Sequence, residues 1–480
     1  MLMRPPKDSA QDSSIDDPST SGLHITNLPD EIIHEIISIA IACSHWRTAY
    51  CECALALSRV CKIFYRITQS LLFKNIEFSW PHCWVPACTP VRCLYRTIGE
   101  NPYLGTLCKS VSFHIPSVTV DPTLEDYVLG EELLSWLPNV TSFALRGGFD
   151  KPYTWPFLKR AFRNLTLVKS LTLSRECWDL YLAPVCDLVQ TMRLQSLTIY
   201  GICAQDDKAI LAPISKVSKK QFISIAHLLT MDKEFERSSS ITGLDLDDFG
   251  DTPEALRRFL KLPKALEHFR FGNGYSGQIS WDLGHFQSLL QDHRSSLKGI
   301  EIGALGREKK DISFLNFPNL ETLNLSCFVV SPSPEVACAT LLGPKLHTFI
   351  WDFTVIDQSS ESWIDFGQKQ KDWILKFAEL AIAQQSALRK IEIIFTPDRW
   401  SCPQTREQLR DWGWPWDLMD EVRDAIKPDI ELSYNKCWEK QECLDRIEER
   451  ERNEREEKEK LDGNQDIRQV WGARETWFEG

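Results

Sequence analysis

No run of 18 apolar residues occurs in the 480-residue chain, so the signature of a membrane-spanning helix is missing. Residues 1–21 are rich in Pro, Ser and Asp and hold no apolar core of the secretory kind. Positive charge is in deficit, with 55 Lys and Arg against 67 Asp and Glu and a net charge of −12. That balance argues against a broad nucleic-acid footprint. Catalytic and nucleotide motifs are also missing: no G-x-x-x-x-G-K-[ST], no H-E-x-x-H and no G-x-S-x-G. Gly272, Gly274 and Gly277 lack a following phosphate-type helix and read as a loop. His82, Cys83, Cys88 and Cys93 are spaced more widely than a zinc knuckle. No catalytic residue, metal or cofactor is therefore expected. The 16 cysteines follow no regular spacing and read as reduced, mostly buried thiols of a cytoplasmic or nuclear protein. Length alone suggests about three domains, a count that repeat arrays break.

What is present begins with residues 24–78. Leu28-Pro29-Asp30-Glu31 has the chemistry of a helix start. Proline loses nothing there, and the two carboxylates meet the positive end of the helix dipole. On the helix that follows, Leu28, Ile32, Ile33, Ile36, Ile37, Ile39 and Ala40 cover about half the circumference. A helix on one small core needs a narrower stripe. A second periodic run places Ala54, Leu57, Val60, Cys61, Phe64, Tyr65 and Ile67 opposite Arg59, Lys62 and Arg66. Two or three short helices cannot bury that much apolar area alone. Part of it is expected to meet the rest of the chain or another protein.

Leu28-Pro29, Ile32-Ile33, Ile36-Ile37, Leu57-Ser58-Arg59-Val60-Cys61-Lys62 and Phe64 resemble an F-box in order and spacing. Trp46-Arg47 and the trailing Leu72-Phe73-Lys74-Asn75-Ile76 resemble the version common in filamentous fungi, and the Cys-rich stretch 42–53 departs from it. The resemblance spans about 50 residues. It implies a three-helix module that docks on a Skp1-like adaptor and so on a cullin–RING ubiquitin ligase. Leu28, Pro29, Ile33, Ile36, Ile37, Leu57, Val60, Cys61 and Phe64 would then make the adaptor contact, directly or through packing.

From about residue 104 an apolar-x-x-apolar-x-apolar unit recurs nine times. Its final positions are Leu145, Leu173, Ile199, Leu246, Phe271, Ile302, Leu325, Trp351 and Ile393, separated by 28, 26, 47, 25, 31, 23, 26 and 42 residues. Most gaps fit leucine-rich repeats of about 20–29 residues. The last two apolar positions of each unit share one strand face, and their neighbours share the other. Intervening stretches such as 253–262 and 371–388 have helical periodicity, the latter with Trp373, Phe377, Leu380, Ala381 and Gln384 on one face. The Asn or Cys that leucine-rich repeats carry three residues after the last apolar position is generally missing, with Phe328 in its place after Leu325. Loop hydrogen bonding is therefore expected to differ from unit to unit.

The expected outward face includes Arg146, Thr172, Thr198, Ile350 and Lys390, and its candidate substrate-binding residues are Tyr200, Asp245, Asp247, Arg270, Glu301, Asn324, Asp352 and Glu392. Trp400, Trp412, Trp414 and Trp416 read as a cap on the open end of the array. Residues 439–460 carry ten acidic and seven basic side chains. That pattern reads as a solvated helix or a charged tail, without a coiled-coil seam.

The sequence thus predicts an α/β repeat fold: a disordered tail (1–22), an F-box-like helical module (23–78), a linker (79–103), an irregular leucine-rich-repeat solenoid with a Trp-rich cap (104–435) and a charged tail (436–480). The implied function is a non-catalytic adaptor, with the module holding a Skp1-like protein of an SCF-type ligase and the solenoid holding a protein substrate. The alternative is a leucine-rich-repeat scaffold with no role in ubiquitination. Neither nucleic acid nor membrane is expected as a partner.

Overall fold

The computed structural model describes residues 28–42, 47–79, 90–115, 124–176, 180–203, 236–272, 281–305, 312–327, 329–330, 333–354, 362–398 and 401–475. The expected tail, His82, Cys83, Cys88, Gly274, Gly277, Phe328 and Trp400 lie outside them. The chain forms two compact units. The first holds residues up to Leu246 with Leu262–Lys264, and the second holds Asp247–Lys261 and Ala265 onward.

The first unit opens with three helices, α1 (Asp30–Ala42), α2 (Arg47–Leu57) and α3 (Lys62–Lys74). Ile33, Ile37, Ile41, Ala54, Phe64 and Ile67 form their shared core. The apolar run expected to be continuous over residues 54–67 breaks at 58–61. There the Ser58, Arg59 and Val60 N–H groups turn back onto Ala54, Ala56 and Leu57, and the Ser58 hydroxyl donates to the Leu55 carbonyl at 2.7 Å. A hydroxyl that satisfies the backbone locally favours such an ending.

α3 passes directly into strand β1 (Asn75–Ser79). Then come α4 (Pro90–Glu100), α5 (Tyr103–Leu107), β2 (Ser110–His114), α6 (Leu124–Ser135), β3 (Ser142–Arg146), α7 (Thr154–Asn164), β4 (Ser170–Ser174), α8 (Leu182–Gln190), β5 (Ser196–Ile202) and β6 (Gly243–Phe249). Residues 79–103, expected as linker, hold α4 and the start of α5. β1 to β5 pair in chain order, all parallel. A parallel pair needs a long crossover, and the helices supply it. The second and fourth residues of each strand point inward: Val111 and Phe113, Phe143 and Leu145, Leu171 and Leu173 are buried.

The second unit repeats the scheme with α9 (Pro253–Leu260), β7 (His268–Phe271), α10 (Leu283–Leu289), β8 (Gly299–Ile302), β9 (Thr322–Ser326), α11 (Pro334–Leu341), β10 (Thr348–Asp352), α12 (Gln368–Ala383), β11 (Lys390–Ile394), α13 (Arg406–Trp412), α14 (Pro415–Ile426), β12 (Glu431–Tyr434) and α15 (Lys440–Glu475). β7 to β12 are again parallel and in chain order. Local signals set the helix starts: the Thr252 and Ser333 hydroxyls accept the Ala255 and Val336 N–H groups, each with proline next in the chain. On α12, Trp373, Ile374, Phe377, Ala378 and Ala381 are buried, whereas Gln384, expected on that face, is exposed.

One backbone bond recurs in both units. The carbonyl just before a strand accepts two N–H groups from the next repeat. Lys109 O takes Thr141 and Ser142, Thr141 O takes Lys169 and Ser170, and Lys169 O takes Gln195 and Ser196. In the second unit Glu267, Lys298, Glu321 and His347 do the same for the strands that follow. Beyond the strands the bonding varies as expected. Thr354 N–H uses the Asp352 carboxylate at 2.8 Å, and Phe395 N–H uses the Asn435 side chain at 2.8 Å.

All nine recurring units fall on strands, β3 to β11. β1, β2 and β12 are three more. The Trp-rich segment packs beside β11 and β12: Trp414 and Trp416 are buried, with ring centroids 5.0 Å apart and both within 5.2 Å of Trp363. Trp416 Nε1 donates to the Asn435 carbonyl at 2.9 Å. Residues 440–475 are helical. Cys443 and Ile447 of α15 are buried, and Arg406 pairs with Glu448.

Phe271 is fully buried among Phe249, Trp281 and Phe286. Phe271→Ala is expected to cost about 3–5 kcal/mol through lost transfer energy and the cavity left behind. Urea unfolding followed by circular dichroism checks this, and a loss below about 1 kcal/mol is incompatible with such a core position.

Candidate protein-binding surfaces

Every third or fourth residue of α1 faces α2 and α3, which accounts for Ile33, Ile37 and Ile41. Ile32, Ile36 and Ile39 are 43 %, 39 % and 57 % exposed, too open for residues that serve only a bundle core. Leu55, Val60 and Tyr65 are exposed as well. Pro29 is exposed, Leu28, Leu57 and Cys61 are half-buried, and Phe64 is buried. The nine residues expected at the adaptor contact therefore divide: Ile33, Ile37 and Phe64 form core, while Pro29, Ile36 and Val60 are surface. Leu55 and Tyr65 are not among the nine: Leu55 lies outside both apolar stripes, and Tyr65 is expected on the inward side of the 54–67 run, whereas in α3 it is exposed and its neighbour Phe64 buried. Asp30 is ion-paired with Arg66 between α1 and α3, a surface contact of little energetic weight.

The outward strand faces of the two units differ in character. In the first, Ser110, Ser142, Ser170 and Ser196 stand in register, followed by Ser112, Ala144, Thr172 and Thr198. On β2 to β5 larger groups come in the next row, with His114, Arg146, Ser174 and Tyr200, while β1 adds Asn75 and Glu77 to the first two rows. His114 Nε2 lies 2.8 Å from Glu176 Oε1. Tyr200 is 39 % exposed and Asp245 is half-buried.

In the second unit one register row reads Arg270, Glu301, Asn324, Ile350, Glu392 and Ser433. Arg270 Nε donates to Glu301 Oε1 at 2.7 Å, and its Nη2 lies 3.7 Å from Asp247 Oδ2. Lys390 Nζ donates to Glu392 at 2.7 Å. Asp352 stands one row on, opposite Ser326. The structure thus joins Asp247, Arg270 and Glu301 directly and sets Asn324 beside Glu301. Glu392 is two strands from Asn324. Tyr200 and Asp245 belong to the first unit.

The His293 imidazole, buried in the second unit, is fully used. Nδ1 takes the Leu266 N–H at 3.3 Å, so Nε2 carries the proton and donates to the Leu260 carbonyl at 2.7 Å. Among the described residues no group of three or more His, Cys, Asp and Glu could hold a metal ion, and no helix is long and apolar enough to cross a membrane. Of the cysteines whose burial is described, Cys108, Cys186, Cys203, Cys338 and Cys443 are buried, Cys53, Cys61, Cys327 and Cys402 half-buried, and Cys93 and Cys437 exposed. Burial pushes the Cys108 thiol up to about 12 and the Cys443 thiol up to about 11, and raises Cys186 as well.

No family model and no curated protein matches the chain. Among solved structures, a chain from the crystal structure of the Rad7 and Elc1 complex in yeast is similar over 84% of this chain and 92% of that one, at 12% identity and a TM-score of 0.34. A superposition that loose carries neither fold nor function across.

Two outcomes are expected. Ile32→Ser with Ile36→Ser should leave stability within about 0.5 kcal/mol, as at an open surface, whereas Ile37→Ala should cost about 2–5 kcal/mol; thermal melts of full-length protein compare them. Because only the thiolate attacks, iodoacetamide at pH 8 should modify the exposed Cys93 and Cys437 ahead of Cys108, Cys186 and Cys443, which it should spare until the chain is unfolded. Peptide mapping by mass spectrometry reads the order.

Proposed function

We propose that the protein is a substrate-recognition adaptor of an SCF-type (Skp1–cullin–F-box) ubiquitin ligase. In this reading α1–α3 dock on a Skp1-like partner, and the repeats hold a protein substrate. The observation that carries it is the surplus on α1. Ile33, Ile37 and Ile41 are the α1 share of the bundle core, yet Ile32, Ile36 and Ile39 stay open on the same helix, and Leu55, Val60 and Tyr65 are open elsewhere in the trio. Exposed aliphatic and aromatic side chains are the raw material of an interface core. The F-box-like order of residues 28–64 says which partner would cover them.

The chain would contribute no reacting group. Holding ligase and target on one body raises their effective concentration, so that ubiquitin transfer behaves as an intramolecular step. The serine and threonine face of the first unit and the charged face of the second offer different chemistry to a bound protein.

Leu28→Ala with Pro29→Ala, and separately Ile32→Ser with Ile36→Ser, should each abolish co-purification of co-expressed Skp1 while leaving the circular dichroism of the repeats unchanged. Full recovery of Skp1 by both double variants would rule this reading out.

A further inference from the structure

In the outward row of the second unit, Asn324 is 7 % exposed, and its Oδ1 is buried with no hydrogen-bond partner. A buried carbonyl oxygen left without a donor is unfavourable, and native structures rarely keep one without a reason. Among the described residues its charged neighbours supply mainly acceptors. Glu301 stands directly across on β8 and Ile350 across on β10, with Asp352 one row further on that strand. The nearest cation in the row, Arg270, is engaged by Glu301 at 2.7 Å and Asp247 at 3.7 Å. Lys390 is engaged by Glu392. Gly272 preserves this arrangement, because a Cβ there would lie 2.6 Å from the Asp247 carboxyl carbon.

Four carboxylates (Asp247, Glu301, Asp352 and Glu392) therefore face two cations on this stretch, and the amide between them lacks a donor. We infer that the outward face of β8–β10 is a recognition site for a basic side chain, Arg or Lys, of a protein ligand. The guanidinium or ammonium group would donate to the Asn324 carbonyl and to the carboxylates of Glu301 and Asp352. Arginine is favoured, since its planar fork can serve an amide oxygen and a carboxylate together. The inference rests on the proposed ligand-holding role of the strand face, and it is independent of the Skp1 contact on α1–α3.

The test uses full-length protein and two fluorescein-labelled pools of dodecapeptides. Arg is fixed at two central positions in one pool and Glu in the other, with the remaining positions randomised among Ala, Ser, Gly, Leu and Tyr. By fluorescence polarisation the Arg pool should bind and the Glu pool should not. Asn324→Leu should weaken binding at least tenfold, and Glu301→Gln about fivefold. Glu449→Gln, on the exposed part of α15, should change nothing. The thermal melt separates recognition from packing: Asn324→Leu should hold or raise the melting temperature, because it removes an unsatisfied buried polar group. Equal binding of the Arg pool by wild type and Asn324→Leu, or binding lost only together with a lowered melting temperature, overturns the inference. So does wild type that fails to bind the Arg pool while still recovering Skp1, an outcome that leaves the adaptor reading standing.

Discussion

The shared carbonyl at the head of each strand is the constraint on which the repeats depend. Lys109, Thr141, Lys169, Glu267, Lys298, Glu321 and His347 each accept two N–H groups from the next repeat, so both lone pairs of one oxygen are used. This pins the first residue of a strand to its neighbour before the ladder begins. Strands of four or five residues have too few bonds to choose a register alone. A slip of one residue would turn every inward Leu, Ile and Phe toward solvent.

With register held, the rest follows from parity. Inward positions build the apolar core of each unit, and the crossover helices close it from the other side. A single repeat could bury neither face. Where the array ends, packing changes character. β12 has one neighbouring strand, and indole rings at 5.0 to 5.2 Å separations take up the space beside it. The tryptophans there are buried, as a cap requires, and their N–H groups reach backbone carbonyls: Trp363 that of Asp398 and Trp416 that of Asn435.

The nine central strands were legible because three apolar residues at fixed spacing repeat whatever lies between them. β1 has the same spacing in Phe73, Ile76 and Phe78, but a helix ends at Lys74, and the expected helical module over 23–78 covers the segment. β2 begins its unit with Cys108, and β12 has Asp429 where the first apolar residue should stand. The break at 58–61 was hidden because Ala54, Leu57, Cys61 and Phe64 keep helical spacing across it. The ion pairs of Arg270 were beyond any sequence reading. Asp247 and Glu301 lie 23 and 31 residues away, and they meet Arg270 only through the register of three strands. Asn324 could be placed on the outward face, but its burial depends on neighbours that the pattern does not specify.

The passage from α3 to β1 leaves no room for a swivel. The helix ends at Lys74 and the strand starts at Asn75, while the Lys74 carbonyl already receives the Lys109 N–H at 2.8 Å. Any tilt of the helical trio must bend a backbone that is clamped on the following residue. The trio and the first strands of its unit therefore turn together, like a handle forged onto its blade.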